Sequence, residues 1–314
     1  MGPIHQRGVA IISVLLTVAL AAIIVSGLFL REHVTIRSVE NRLALTQTRW
    51  VERAAIDWSK VILAADKRTS PQDHLGEAWA VPVAETKLDE TVTAGARIDD
   101  EARAATLTGQ MFDAQARFNL NTLVQVQPDG TTTVAPERLE MFKRLLGYLG
   151  QPESLADTIT ARVLAAEPAR LNGESPAPRD VLPLVRLPDL ATVRGVNAET
   201  LEALEPFVTF LPAFTPINVN TAPAEILAAA VPELDIAAAR QLVTRRERTF
   251  FTNLADFRAQ ITPAPEKLDE RVLSVETRFF LVRGLIRFGR VESFSETLLE
   301  RTPQRVTVIW QRRL

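Results

Sequence analysis

The sequence predicts an α+β protein carried on one long N-terminal helix. Residues 9–30, VAIISVLLTVALAAIIVSGLFL, form an apolar run without a single charge, and helical periodicity continues beyond it to about Lys67. From Phe280 onward three segments alternate apolar residues with others, the pattern of sheet strands. Between residues 131 and 276 the chain reads as helices broken by prolines. These observations together predict a small antiparallel sheet, with the long helix packed on it and a large all-α domain inserted into it.

The apolar run is long enough to cross a bilayer, which takes about 20 residues. A cleaved secretory signal has a shorter apolar core followed by a small-residue cleavage site. Here the helical pattern instead passes straight through Arg31 and Glu32, so the helix is expected to stay, half in lipid and half in water. Continuous helix from Val9 to Lys67 is roughly 90 Å long at ~1.5 Å per residue. In its second half Val39, Leu43, Trp50, Ala54, Trp58 and Val61 recur at helical spacing as one apolar stripe, with Arg42, Arg49, Arg53 and Asp57 off it. The stripe is expected to pack on the protein's own sheet, and the first half of the helix on partners. Thr69-Ser70-Pro71 ends the helix, because proline cannot continue it.

From about Pro71 to Val126 the chain turns to strand and loop. Thr106–Phe112 and Arg117–Val124 have extended character, with Asp113-Ala-Gln-Ala between them. Asn119 and Asn121 alternate with Leu120, and their amides are expected to tie down a strand end or turn. Leu139–Ala166 and Leu182–Leu211 read as helices interrupted by prolines. The phrase Ile217-Asn-Val-Asn-Thr-Ala-Pro-Ala-Glu-Ile-Leu227 carries helix-start signals: Asn220 or Thr221 as N-cap, Pro223 in the first turn, and Glu225 near the positive helix end. Ile236–Arg248 and Leu254–Phe257 follow. The three final strands are expected around Phe280–Phe288, Glu296–Arg301 and Val306–Gln311, in a sheet with one face packed.

Composition narrows function. The 314 residues suffice for two modest domains beyond the anchor. A net charge of −2 gives no general affinity for polyanions. The absence of cysteine excludes disulfides, thiol catalysis and cysteine metal sites. His5, His33 and His74 are scattered, and there is no glycine-rich phosphate loop, Gly-x-Ser-x-Gly elbow or His-Glu-x-x-His pair. An assembly protein is therefore expected rather than an enzyme. Arg7 alone precedes the span, while Arg31, Arg37, Arg42, Arg49 and Arg53 follow it. The positive-inside rule thus points to a cytoplasmic bulk, but it weakens for a large translocated domain.

The segment from Ile217 to Phe257 resembles helix-hairpin-helix modules, which bind DNA backbone through glycine amides and basic residues. The connector here, Val231-Pro-Glu-Leu-Asp235, has no glycine and two acids, and a solvated helix face explains Arg240, Arg245, Arg246 and Arg248 as well. No nucleic-acid partner is expected. A membrane-anchored DNA-uptake protein built on the hairpin remains one alternative function.

Arg7-Gly8 before the apolar run resembles the leader of type IV prepilins and of the pseudopilins of type II secretion. On the residues alone, Gly8 either ends a leader before an anchor or lets the backbone extend into a peptidase cleft. The resemblance implies cleavage between Gly8 and Val9 by a prepilin peptidase on the cytoplasmic side, then methylation of the new amino terminus. Most such proteins carry glutamate at the fifth mature position, where this chain has Ser13; the K minor pseudopilins of type II secretion also lack it.

The ordered set of leader, long helix, Asp73–Trp79, Arg117–Leu123 (RFNLNTL), INVNTAP and final meander is similar to that K family over nearly the whole chain. The resemblance implies a single-pass inner-membrane protein with its leader in the cytoplasm and its bulk in the periplasm. It implies a place in the tip complex of the periplasmic pseudopilus, controlling fibre initiation or length during export of folded proteins. The implied partners are the I, J and H minor pseudopilins, the inner-membrane secretion platform and the prepilin peptidase. The implied domains are a leader (1–8), the helix (9–67), a pseudopilin domain (68–130 and 277–314) and the helical insertion (131–276). Calcium is associated with the family, but its acidic loop is not recognisable here. Asp157, Glu167, Asn172 and Glu174 are too sparse for six to eight oxygen ligands, and Asp99-Asp100-Glu101 reads as a solvated loop. No cofactor is therefore expected. A minor pilin-like subunit of a type IV pilus system is the other alternative.

Overall fold

A computed structural model of the chain describes residues 6–88, 105–166, 181–288 and 291–314. Helix α1, Gln6–Thr69, is unbroken, as the sequence predicts. Strands β1 (Val83–Leu88) and β2 (Ala105–Asp113) follow, then the short β3 (Phe118–Asn119), β4 (Val124–Val126) and β5 (Thr132–Val134). The helical part holds α2 (Pro136–Tyr148), α3 (Ser154–Ala165), α4 (Ala198–Leu204), β6 (Val208–Thr209) and β7 (Ile217–Asn218). It continues through α5 (Ala224–Ala230), α6 (Ile236–Arg246), α7 (Leu254–Arg258) and β8 (Leu273–Ser274). Strands β9 (Phe279–Phe288), β10 (Val291–Arg301) and β11 (Val306–Arg313) end the chain. One five-stranded sheet runs β1-β2-β9-β10-β11, so the helical part is an insertion between the neighbouring strands β2 and β9.

The chain forms two compact units. One contains α1 as far as Ala54 with the adjoining ends of β1, β2, β9 and β10. The other contains the rest of α1, the remainder of the sheet and the whole helical part.

In the larger unit, local chemistry sets the helix ends. Pro136 opens α2, where its missing N–H costs nothing. Gly150 follows that helix with φ +67°, a left-handed conformation that glycine adopts freely. Asn197, Asp235 and Asn253 cap α4, α6 and α7, each side-chain oxygen accepting a backbone N–H. The core of the helical part is apolar: Phe142, Leu145 and Leu146 of α2 meet Ile159 and Val163 of α3 and Ile226 and Leu227 of α5. Phe118 stacks on Phe142 with centroids 5.2 Å apart. Burying such a side chain contributes about 1.5–3 kcal/mol.

Two expectations change here. Phe118, Leu120, Leu123 and Val124 belong to the helical core, and β3 pairs in parallel with β6. Phe118, Leu120, Leu123 and Val124, assigned by sequence to the sheet domain, therefore pack with the insertion. The sheet is also covered on both faces. Phe280, Leu299 and Met111 pack with Ile56 and Leu63 of α1, while the alternate residues Phe279 and Leu298 pack with Leu211. Five consecutive residues, Ser295–Leu299, are buried in β10. Sequence alternation shows that two faces differ; it does not show that an inserted domain folds back over the second one.

Candidate functional site

Helix α1 is the first candidate, and its geometry reverses one expectation. Val39, Leu43, Trp50, Trp58 and Val61 are exposed, with Trp50 at 66% and Trp58 at 65%. The buried positions are Ala44, Thr48, Val51, Glu52, Ile56, Ser59 and Leu63. At 3.6 residues per turn the two sets lie on nearly opposite sides of the helix. The buried side is rich in small residues whose hydroxyls turn back on the helix: Thr48 Oγ1 donates to the Ala44 carbonyl and Ser59 Oγ to that of Ala55, both at 2.8 Å. The large apolar residues are expected inside from their helical spacing, whereas the side that is buried carries the smaller Ala44, Thr48 and Ser59.

The lipid-length half of α1 is exposed along its described residues, and it is the one helix there long and apolar enough to cross a membrane. Gly8 and Val9 lie in its first turns. Ser13 is exposed, and its carbonyl accepts the Thr17 hydroxyl at 2.8 Å.

The second candidate is a buried polar hub where sheet and insertion meet. Asp113, the last residue of β2, is buried, and its Oδ2 accepts from Thr221 Oγ1 (2.5 Å), Thr277 Oγ1 (2.6 Å) and Asn218 Nδ2 (3.0 Å). Its Oδ1 accepts from Gln115 N at 2.7 Å. Asn218 Nδ2 also reaches the Asp73 carbonyl at 2.9 Å. Asp73 takes the Thr277 N–H at 2.7 Å and pairs with Arg301, whose other Nη donates to Asp66 at 2.8 Å. Arg301 lies over the Phe280 ring, 4.7 Å from its centroid. The hub thus ties α1, the turn after it, the end of β2, the INVNT segment and β10 together.

The INVNTAP phrase works differently from its expected role. Pro223 is the residue before α5, and it has no side chain with which to cap that helix. Asn220 instead exchanges two hydrogen bonds with the Phe251 backbone, at 2.8 and 2.9 Å. Thr221 serves the hub, and only Glu225 sits in the first turn as expected. Asn119 and Asn121 likewise reach beyond their own turn: Asn119 bonds Leu211 N and the Ala213 carbonyl, and Asn121 bonds the Leu211 carbonyl.

Burial pushes the carboxyls of this hub up: Asp73 to about 7 against the opposing pull of Arg301, and Asp66 and Asp113 in the same direction. The folded state therefore holds protons that the unfolded chain releases from near pH 3.8. Stability from this source is fullest below that pH and is lost as pH rises through about 7. The melting temperature is expected to fall by a few degrees between pH 5 and 8. Asp73→Asn should flatten that slope. A wild-type melting temperature that rises across the interval contradicts the assignment.

Asp66, Asp73 and Glu77 each bring a carboxylate oxygen within 4.8 Å of the others, the one metal-like cluster among the described residues. Arg301 already neutralises two of them, and Glu77 Oε2 accepts from His74 N and Trp79 Nε1. Asp157 pairs with Lys143 at 3.4 Å. Glu167, Asn172, Glu174 and the Asp99–Glu101 run lie outside the described residues.

In the α5–α6 hairpin an acid already occupies the N-terminus of α6. Asp235 Oδ1 accepts the Ala238 N–H at 2.8 Å, placing a carboxylate at the α6 N-terminus, where a phosphate would have to sit. The basic run was expected as a solvated face, but Arg246 is buried. Its Nη1 donates to the Val219 carbonyl at 2.7 Å, and burial draws its pKa down to about 10. Arg240 faces Glu225 at 3.6 Å.

A lipid-length helix that continues into water and packs its lower turns on a sheet interrupted by a helical domain defines a pilin-like subunit. Its apolar helix fits a membrane anchor. Family models described as "Type II secretion system (T2SS), protein K" match residues 116–213 and 217–276. A type II secretion system protein K of Pseudomonas aeruginosa is 32% identical, covering 90% of this chain and 85% of that protein. The corresponding Pectobacterium carotovorum protein is 27% identical, covering 97% and 95%. A chain of the solved GspK–GspI–GspJ complex from enterotoxigenic Escherichia coli shares the fold, with a TM-score of 0.66 at 24% identity over 89% of this chain and 99% of that one. The chain belongs to the type II secretion system protein K family.

Proposed function

We propose that this protein is a tip subunit of the periplasmic pseudopilus, where it joins the I- and J-type minor pseudopilins and sets fibre initiation or length. Its leader is cut after Gly8 and its bulk faces the periplasm. It works by assembly, without catalysis, cofactor or nucleic acid. The observation that carries this reading is the tryptophan stripe on α1. The helix buries one side against its own chain and leaves Val39, Leu43, Trp50, Trp58 and Val61 exposed on the other. An exposed apolar stripe of this kind, continuous with a membrane helix, marks a surface for other helices.

Trp50→Glu and Trp58→Glu test it. Both side chains are exposed, so the melting temperature should stay within about 2 °C of wild type. Co-purification with the I- and J-type subunits expressed in the same membrane should fall at least tenfold, the scale of losing one anchoring tryptophan. Undiminished co-purification of both variants defeats the reading.

A further inference from the structure

A cleft of about 370 Å³ opens in the larger unit between the second face of the sheet and the inserted domain. Its floor is apolar: Phe112, Leu281, Leu298 and Trp310. Its cations are nearly all matched. Glu296, almost fully buried, accepts from Arg283 Nε and Arg312 Nε at 2.7 Å each, and Arg186 pairs with Asp189 at 3.0 Å. Arg117 is the exception. It lines the cleft where the chain leaves the sheet for the insertion, and it makes no hydrogen bond or ion pair with any described residue. Glu205 and Glu296 act on it only at a distance, Arg283 repels it, and burial, the largest effect, lowers its pKa.

A guanidinium offers five N–H donors in a planar fork that matches a carboxylate. Arg117 is half-buried, so its donors face solvent inside the cleft, partly desolvated and open to an acceptor that a ligand brings. The cleft is larger than a carboxylate needs, and its floor suits an apolar neighbour of that group. The geometry points to a docking site in which Arg117 receives an aspartate or glutamate of a partner subunit, with an adjacent apolar side chain of the partner against Trp310 and Leu281. This rests on the reading of the protein as an assembly subunit. It adds an interface separate from the α1 stripe.

The test uses the full-length chain co-expressed with the I- and J-type subunits, with a photo-crosslinking residue at Val185, an exposed position on the cleft rim. Arg117→Gln should lower both co-purification and the Val185 crosslink at least tenfold. Its melting temperature should be unchanged or higher, because an unmatched cation has been removed. Arg117→Lys should retain part of the binding. A parallel fall in melting temperature and binding shows a structural arginine and overturns the proposal. Normal assembly and crosslinking by Arg117→Gln overturn it while leaving the tip reading intact. Acetate that raises the wild-type melting temperature but not that of Arg117→Gln, with assembly undisturbed, assigns the cleft to a small anion and overturns it too. If the wild-type chain fails to co-purify at all, the tip reading and this proposal both fall.

Discussion

Asp113→Ala is expected to destabilise the protein by about 3–5 kcal/mol, because it removes the acceptor for four enclosed donors at once. Thr221 and Thr277 hydroxyls, the Asn218 amide and the Gln115 N–H all converge on this carboxylate. The melting temperature should fall by roughly 6–20 °C. Asp113→Asn separates lost volume from lost acceptors. With its amide nitrogen in place of Oδ2 it confronts the Asn218 NH₂; flipped, it confronts the Gln115 N–H. One donor–donor clash survives either way, so Asn should also destabilise, though less than Ala, because the threonine hydroxyls can rotate to accept. Thermal melting of the purified chain measures both. An Ala variant within 1 kcal/mol of wild type would show that the hub is dispensable.

That hub was hidden in the sequence for a physical reason. Its members sit at positions 66, 73, 113, 218, 221, 277 and 301, and side-chain bonds over such separations leave no periodicity to read. The INVNTAP phrase stood out, but only as local helix-start chemistry, whereas Asn218 turned out to face three acceptors from distant segments. The anchor was legible because lipid tolerates little except apolar helix. The three final strands were legible because each is a short extended run with an apolar share, although burial does not alternate in β10, where Ser295–Leu299 are all buried. The side of α1 that is buried was not legible. Apolar residues at helical spacing pointed Trp50 and Trp58 inward, yet the buried side of α1 carries Ala44, Thr48 and Ser59. The exposed tryptophans are the residues on which the proposed partner surface rests, so the misplaced stripe and that proposed surface coincide.

Gly8→Leu is expected to abolish leader removal while leaving the chain in the membrane. Gly8 and Val9 lie within helical backbone near the start of α1. A peptidase needs extended chain, so the first turns must unwind before the bond is presented. Glycine eases this, being about 1 kcal/mol less favourable than alanine in a helix, and terminal turns fray readily. Leucine is a strong helix former, and it also places a branched side chain where the cleft meets bare backbone, so the two effects add. The apolar run itself is unchanged, so insertion should proceed normally. The consequence for assembly is electrostatic. In the proposed scheme, cleavage would create a positive amine on Val9 at the edge of lipid, where a charge is costly unless paired. A carboxylate of the subunit below can pair it. Ser13 would offer no such carboxylate to a subunit above, in keeping with the proposed tip position. Uncut chain lacks the amine and keeps Arg7 in its place, so it should accumulate in the membrane outside the fibre. Mass spectrometry of membrane-purified protein, from cells with active prepilin peptidase, should find the wild-type chain beginning at Val9 and the variant beginning before it. Wild-type protein that keeps its leader, or a Gly8→Leu chain that still begins at Val9, would overturn the processing scheme.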